Sequence, residues 1–296
     1  MRTVLVTGID GFTGRYVAAE LQAAGYKVVG LGSGKASGQY YHANLLDADA
    51  LAYVMADAQP DFIINLAAIA FVAHGDANAF YQVNVIGARN LLQAALNAKK
   101  QPRSILMVSS ANVYGNATVS VIDENIPMAP VNDYAVSKLA MEYMTSLYID
   151  KLPITIVRPF NYTGVGQAGN FLIPKIVDHF RRKAPIIELG NLDVSRDFGD
   201  ARAVASAYRL LLQNSEAQGR VVNICSGQAY ALEQIIQMCA SVTGHEIQVK
   251  VNLDFVRENE IKVLRGDNTL LQVLAGPQWR PIPLEATLEW MLSQPE

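Results

Sequence analysis

The sequence predicts an α/β fold: a doubly wound parallel sheet with a smaller C-terminal α/β lobe. Three observations carry this. Short β-branched runs alternate with longer helical patterns through the first half. The runs are almost continuously apolar, as strands covered on both faces are. A glycine-punctuated turn joins the first run to the first helical pattern, as in open parallel sheets.

The elements follow in order. Thr3–Thr7, Lys27–Leu31, Phe62–Leu66, Ser104–Ser109 and Ile154–Arg158 read as strands, and Gly14–Ala24, Asp47–Ala58, Ala79–Ala98 and Asp133–Ile149 read as helices. After Pro159 the character changes. Gly164, Gly166 and Gly169 punctuate a loop, Asn170–Lys183 reads as a helix and Ile186–Leu189 as a strand. A helix over Ala201–Gln213, a strand over Arg220–Cys225 and a helix over Ala231–Thr243 follow. The expected division is a first domain over residues 1–165 and a lobe over 166–296, with segments of the two interleaved or packed directly together.

Composition narrows the function classes. The chain has 296 residues, 51% of them hydrophobic, and a formal net charge of −3, so it can bury a large core and presents no field for gripping nucleic acid. The one basic cluster, Arg181-Arg182-Lys183, reads as a solvated helix end. Cys225 and Cys239 lack metal-ligand spacing and read as buried small hydrophobes, so neither a metal nor a disulfide is expected. The N-terminal apolar run is too short for a signal sequence and Asn65 interrupts the longest apolar segment. A cytoplasmic enzyme without a membrane partner is the expectation.

The glycine turn reads Gly8-Ile9-Asp10-Gly11-Phe12-Thr13-Gly14, directly after the first strand and opening a helix. Glycines permit a tight turn and close approach of a pyrophosphate to the helix N-terminus, so Gly8, Gly11, Phe12, Thr13 and Gly14 are candidates for dinucleotide binding. The second strand ends Gly30-Leu31-Gly32-Ser33-Gly34-Lys35, with no acid to hold ribose hydroxyls. Ser33 and Lys35 suit a 2′-phosphate, so NADPH is the expected cofactor, with NADH as the alternative.

Tyr134 and Lys138 lie four apart in a helical pattern and project from one face. A nearby ammonium favours the phenolate, so Lys138 is expected to lower the Tyr134 pKa and make it a proton donor. Ser110 falls just beyond the strand Ser104–Ser109, where catalytic groups of open sheets gather, and is suited to polarise a substrate carbonyl.

These motifs together resemble the extended short-chain dehydrogenase/reductases, a Rossmann family, over essentially the whole chain. The matching pieces are Thr-Gly-Ile-Asp-Gly-Phe-Thr-Gly at 7–14, Asn-Leu-Ala-Ala at 65–68, Asn84 with Gly87, Ser-Ser-Ala-Asn-Val-Tyr-Gly at 109–115, Tyr-Ala-Val-Ser-Lys at 134–138 and Arg-Pro-Phe-Asn at 158–161. The resemblance implies a Ser110–Tyr134–Lys138 triad, with Tyr134 and Lys138 also touching the cofactor. It further implies Asn44 and Leu45 near the adenine and Leu66, Ala67 and Ala68 along the cofactor. It implies a homodimer through the helices Ala79–Ala98 and Asp133–Ile149.

The second half resembles the GDP-mannose 4,6-dehydratase branch, through Asn-Phe-Leu-Ile-Pro-Lys-Ile at 170–176, Arg-Asp-Phe-Gly-Asp at 196–200 and Arg257-Glu258-Asn259-Glu260 running on to Leu264-Arg265-Gly266-Asp267. That implies a GDP-sugar held by Asn161, Asn170, Lys175, Arg196, Arg257 and Glu260. Arginines suit a diphosphate and a carboxylate suits ribose hydroxyls. One departure bears on the reaction. Dehydratases of this branch carry carboxylate after the triad's serine or threonine, and here Ala111 and Asn112 stand there. Neither is a base, so elimination of water is not expected. The resemblance then points to reductases of GDP-4-keto-6-deoxy-D-mannose, yielding GDP-D-rhamnose or a close relative. An NDP-sugar 4-epimerase, a 4,6-dehydratase and a non-catalytic NADP(H)-binding sensor remain alternatives on the same fold.

Overall fold

The computed structural model describes residues 1–34, 39–69, 76–190, 192, 194–252 and 263–294. The chain begins with β1 (Thr3–Thr7), α1 (Phe12–Ala23), β2 (Lys27–Gly32), β3 (Tyr40–His42), α2 (Ala48–Ala58) and β4 (Phe62–Asn65). A long helical run follows as α3 (Ala77–Tyr81), a π-helical segment (Gln82–Gly87) and α4 (Ala88–Asn97). Next come β5 (Ser104–Val108), a 3-10 turn (Ala111–Tyr114), β6 (Val121–Ile122), α5 (Asp133–Ser146), β7 (Ile154–Pro159) and β8 (Asn161–Thr163). The remainder runs α6 (Leu172–Arg181), β9 (Ile186–Leu189), β10 (Ser195–Asp200), α7 (Ala201–Gln213), β11 (Val221–Ile224), β12 (Ala229–Ala231), α8 (Leu232–Thr243), β13 (Gln248–Val251), β14 (Val263–Gly266), α9 (Thr269–Ala275) and α10 (Leu284–Ser293).

The main sheet has seven strands in the order β11-β7-β5-β4-β1-β2-β3, all parallel. Side-chain alternation along each strand divides its apolar residues between two cores. Val4, Val6, Phe62, Ile64, Leu106 and Val108 face α1, α7 and α9. Leu5, Ile63, Ile105 and Met107 face α2, α4 and α5 on the other side. This is the doubly wound architecture the sequence predicts. A third core gathers α6, α8 and α10 against β9 and Phe198 of β10.

The second half does not simply follow the first. β11 returns to the main sheet beside β7, and α7 and α9 cover one of its faces. A smaller sheet runs β12-β10-β14-β6, with β8 also pairing β10. β9 and β13 form a separate parallel pair.

One sequence expectation needs correction, and one strand went unread. The helix expected over Ala79–Ala98 is interrupted by the π-helical segment, which turns Asn84 inward to 2% exposure. β10 has no counterpart in the sequence reading, because its charges disguise a strand. Asp197 is fully buried there, yet it accepts hydrogen bonds from the Ser226 N–H and hydroxyl and from the Gly227 and Gly266 N–H groups. A buried carboxylate satisfied this way ties the loop after β11 and the end of β14 to one strand. Among the described residues, no helix is long and apolar enough to cross a membrane, and no cluster of His, Cys, Asp and Glu is disposed to hold a metal.

Candidate active site

The sheet order reverses at β1, which lies between β2 and β4, and ligands of open parallel sheets bind at such a point. The chain leaves β1 through Gly8, whose φ of +67° suits glycine. Its N–H donates to Leu31 O at 2.8 Å, holding the turn against the end of β2. A Cβ at Gly8 would stand 2.8 Å from the Ala67 backbone, and one at Gly14 would stand 2.4 Å from Ile9 O. Both positions therefore permit the tight packing that brings the N-terminus of α1, with Gly11 as its cap, to the crevice. Thr7 Oγ1 donates to Asn65 Oδ1 at 2.7 Å and accepts from the Ala67 N–H at 3.1 Å, locking the ends of β1 and β4 together. The cradle of N–H groups and glycines fits a dinucleotide pyrophosphate.

Ser110 follows β5 and caps the 3-10 turn, accepting from the Asn112 N–H at 3.2 Å. Tyr134 stands in the first turn of α5, a helix started by the Asn132 side chain. Lys138 lies one turn on and donates through Nζ to Val108 O, the last residue of β5, at 2.8 Å. Ser110, Tyr134 and Lys138 are all buried around this strand end. The Ser110 hydroxyl is the polar neighbour that favours the ionised Tyr134 phenol.

The electrostatics correct one expectation. Burial holds the Tyr134 phenol up at about 12; the Ser110 hydroxyl lowers it and Tyr162 raises it. The Lys138 ammonium is not among the groups that set it. That ammonium is itself pushed down to about 8 by burial, with Glu142 raising it. Desolvation disfavours the charged form of each, so the phenol is held as a proton carrier and the ammonium titrates near neutrality.

Other side chains fix this geometry. Asn84 Oδ1 accepts from the Ile69 N–H at 3.1 Å, while its Nδ2 donates to Ser137 Oγ at 2.9 Å. Ser137 Oγ in turn donates to Tyr134 O at 2.7 Å. The π-helical segment thus pegs the loop after β4 to the turn of α5 that carries Tyr134. Below, Arg158 of β7 binds Glu142 of α5 through two contacts, Nε to Oε1 at 3.0 Å and Nη2 to Oε2 at 2.6 Å. Arg158 also donates to Tyr114 Oη at 2.9 Å, and Tyr114 donates to Asn223 Oδ1 at 2.7 Å. Glu142 is therefore committed, and Glu124 accepts from the Asn223 N–H.

The remaining sequence candidates divide. Phe12 stacks on Tyr162 at 6.1 Å and Thr13 Oγ1 lies 2.6 Å from Tyr162 Oη, so both join the turn to the Tyr134 side of the crevice. Leu66, Ala67 and Ala68 line the segment leaving β4, half-buried, and Ser33 is exposed at the end of β2. Leu45 is buried in the second core and Asn44 is exposed, its Oδ1 accepting from the Leu46 N–H. Asn161 pairs in register with Phe198, two residues from Arg196 on β10. Asn170 is exposed before α6, and Lys175 Nζ donates to Glu188 O at 2.7 Å. Lys35, Arg257 and Glu260 lie outside the described residues.

Two residues went unread in the sequence. Tyr162 follows the Arg-Pro-Phe-Asn motif and faces the turn only because β8 pairs β10. Asp10 stands between the glycines of the turn with no role read for it. Its carboxylate crosses to the end of β2, accepting from Tyr40 Oη at 2.7 Å and the Gly34 N–H at 3.1 Å. The expected absence of an acid at that strand end is thus corrected: the acid arrives from the neighbouring turn. Glycines at both 32 and 34 were its sequence signal.

The family described as NAD dependent epimerase/dehydratase matches residues 4–225. The chain belongs to that family. Its extended short-chain dehydrogenase/reductase fold is shared with solved members. A crystal structure from Burkholderia cenocepacia J2315, provisionally called an epimerase, is 46% identical over 98% of this chain and 97% of that one, with a TM-score of 0.93. The structure of RMD from Pseudomonas aeruginosa complexed with NADPH is 31% identical over 99% and 98%, with a TM-score of 0.85. Among curated members, GDP-6-deoxy-D-talose 4-dehydrogenase of Aggregatibacter actinomycetemcomitans is 35% identical over 97% of this chain and 96% of its own length. GDP-6-deoxy-D-mannose reductase of Pseudomonas aeruginosa is 34% identical over 98% and 96%.

Proposed function

We propose that this protein is a nicotinamide-dependent reductase of a GDP-4-keto-6-deoxyhexose, acting on GDP-4-keto-6-deoxy-D-mannose or a close relative. The observation that carries the reading is the burial of Ser110, Tyr134 and Lys138 together at the end of β5, followed by Ala111 and Asn112 where elimination would require a carboxylate. Relatives named for redox chemistry on GDP-6-deoxyhexoses support it.

Each residue has a definite task. Ser110 donates to the keto oxygen and polarises the carbonyl. Tyr134, protonated at neutral pH because it is buried, delivers its proton to the same oxygen as the alcohol forms. Lys138 holds a positive charge beside the phenol as its proton departs and orients the ribose next to the nicotinamide. When bound, the reduced nicotinamide supplies the hydride that the keto carbon accepts. Gly8, Gly11, Phe12, Thr13 and Gly14 hold the pyrophosphate end, and Ser33, Asn44, Leu45, Leu66, Ala67 and Ala68 line the remainder of the cofactor crevice. Asn161, Asn170, Lys175 and Arg196 hold the nucleotide-sugar, joined by Arg257 and Glu260.

We further propose a cytoplasmic homodimer. Val136, Tyr143 and Leu147 are exposed apolar residues at helical spacing along α5 and just beyond its end, and Ile86 is exposed on the preceding helical run. Such a stripe is suited to pairing two copies.

The test is steady-state reduction of GDP-4-keto-6-deoxy-D-mannose, followed by loss of reduced nicotinamide absorbance. Turnover is expected with this ketone and none with GDP-D-mannose. Tyr134→Phe should lower kcat by about 10²–10⁴-fold while cofactor binding persists. Consumption of GDP-D-mannose, or a Tyr134→Phe variant with parental kcat, contradicts the proposal.

A further inference from the structure

We infer that Asp10 selects the cofactor, its carboxylate at the end of β2 making the protein favour NADH over NADPH. The inference rests on the reading that the glycine turn binds a nicotinamide dinucleotide, and it goes further by naming which one.

The placement is built by several residues at once. The Gly8 N–H bond to Leu31 O brings the turn beside the last residues of β2. From there Asp10 Oδ2 reaches the Gly34 N–H at 3.1 Å and Tyr40 Oη at 2.7 Å. Three alternate glycines clear the surface that Tyr40 and Asp10 occupy. A Cβ at Gly30 would stand 2.7 Å from Tyr40 Cδ2, one at Gly32 2.8 Å from Asp10 Oδ2, and one at Gly34 2.7 Å from the same oxygen. Any side chain at 32 or 34 would displace the carboxylate. Burial and the adjacent carboxylate hold the Tyr40 phenol up at about 12, so it remains a donor to Asp10 across the physiological range.

The end of the second strand is where an open parallel sheet receives the adenosine ribose, and an acid there accepts hydrogen bonds from its hydroxyls. Such an acid ordinarily comes from the strand itself. Here it comes from the turn and is fixed by a strand tyrosine. Both described hydrogen bonds fall on Oδ2, and among the described residues Oδ1 takes none. Oδ1 is therefore suited to the ribose hydroxyls. A 2′-phosphate would bring nearly two negative charges against the same carboxylate.

The decisive experiment measures dissociation constants of NADH and NADPH for the full chain by fluorescence, and of 5′-ADP and 2′,5′-ADP by calorimetry, at low and high salt. NADH should bind at least about tenfold more tightly than NADPH at low salt, and the gap should narrow as salt screens the repulsion. 5′-ADP should outbind 2′,5′-ADP in the same way. Asp10→Ser should bring the two dinucleotides within about threefold of each other by tightening NADPH and weakening NADH. The isosteric Asp10→Asn should do the same, while Tyr40→Phe, which keeps the carboxylate, should still favour NADH. Parental protein that binds NADPH as tightly as NADH, or Asp10 variants with an unchanged ratio, overturns the inference. Failure to bind either dinucleotide would overturn the underlying reading of the glycine turn as well.

Discussion

Lys138 is a cation in surroundings that resist cations. It is 5% exposed, and its one described hydrogen bond runs to a strand-end carbonyl, Val108 O. Burial lowers its pKa from 10.5 to about 8, so the folded protein binds this proton more weakly than the unfolded chain does. Stability from this group is therefore complete above about 10.5 and is lost as pH falls through about 8. Lys138→Met should raise the Tm at pH 7, by a stability gain on the order of 2 kcal/mol. The gain should shrink as pH rises toward 10, and thermal melts across that range check it. A gain that grows with pH would contradict the assigned shift. The same variant should lose reductase turnover, the cost of placing an ammonium at a reacting centre. At this scale the grouping of Ser110, Tyr134 and Lys138 around the end of β5 was legible, because all three sit in specific motifs. The direction of the Tyr134 shift was not legible, since it depends on burial that spacing does not reveal. Asp10 was missed for a related reason: its role needs β2 beside the turn.

Between elements, the bond of α5 to β7 has the greatest consequence. Arg158 and Glu142 are 3% and 6% exposed and are joined by two contacts, with Tyr114 satisfying a further guanidinium group. Removing one partner leaves the other charged and buried, whereas removing both does not. Arg158→Met should cost about 3–5 kcal/mol in urea unfolding, and Arg158→Met with Glu142→Leu should recover most of that loss. Equal losses in the single and double variants would show that packing, not the orphaned charge, governs the pair. Periodicity gave the main elements directly, since alternate apolar residues such as Val4 and Leu5 face different cores. It failed where local pattern and tertiary demand diverge. The π-helical segment keeps a helical pattern while rotating Asn84 inward, and β10 hides its strand character behind Asp197, whose charge is satisfied only by distant loops.

Across the whole molecule, the two halves share elements. β11 completes the main sheet, while β6, from the first half, edges the smaller sheet next to β14. Tyr162 on β8 touches the glycine turn and Arg158 on β7 binds α5, so the turn, the smaller sheet and the helix carrying Tyr134 are coupled through one framework. That interleaving was legible only as a possibility, because sheet partners separated by tens of residues leave no local trace. The framework brings a buried phenol to the crevice and places neutral residues after Ser110, the arrangement on which the proposed net reduction rests. The most direct test supplies GDP-4-keto-6-deoxy-D-mannose with reduced nicotinamide cofactor deuterated at the transferable position. One deuterium should appear at carbon 4 of a GDP-6-deoxyhexose, with one cofactor oxidised per product formed. Product lacking deuterium, or sugar interconversion without net cofactor oxidation, would contradict this account.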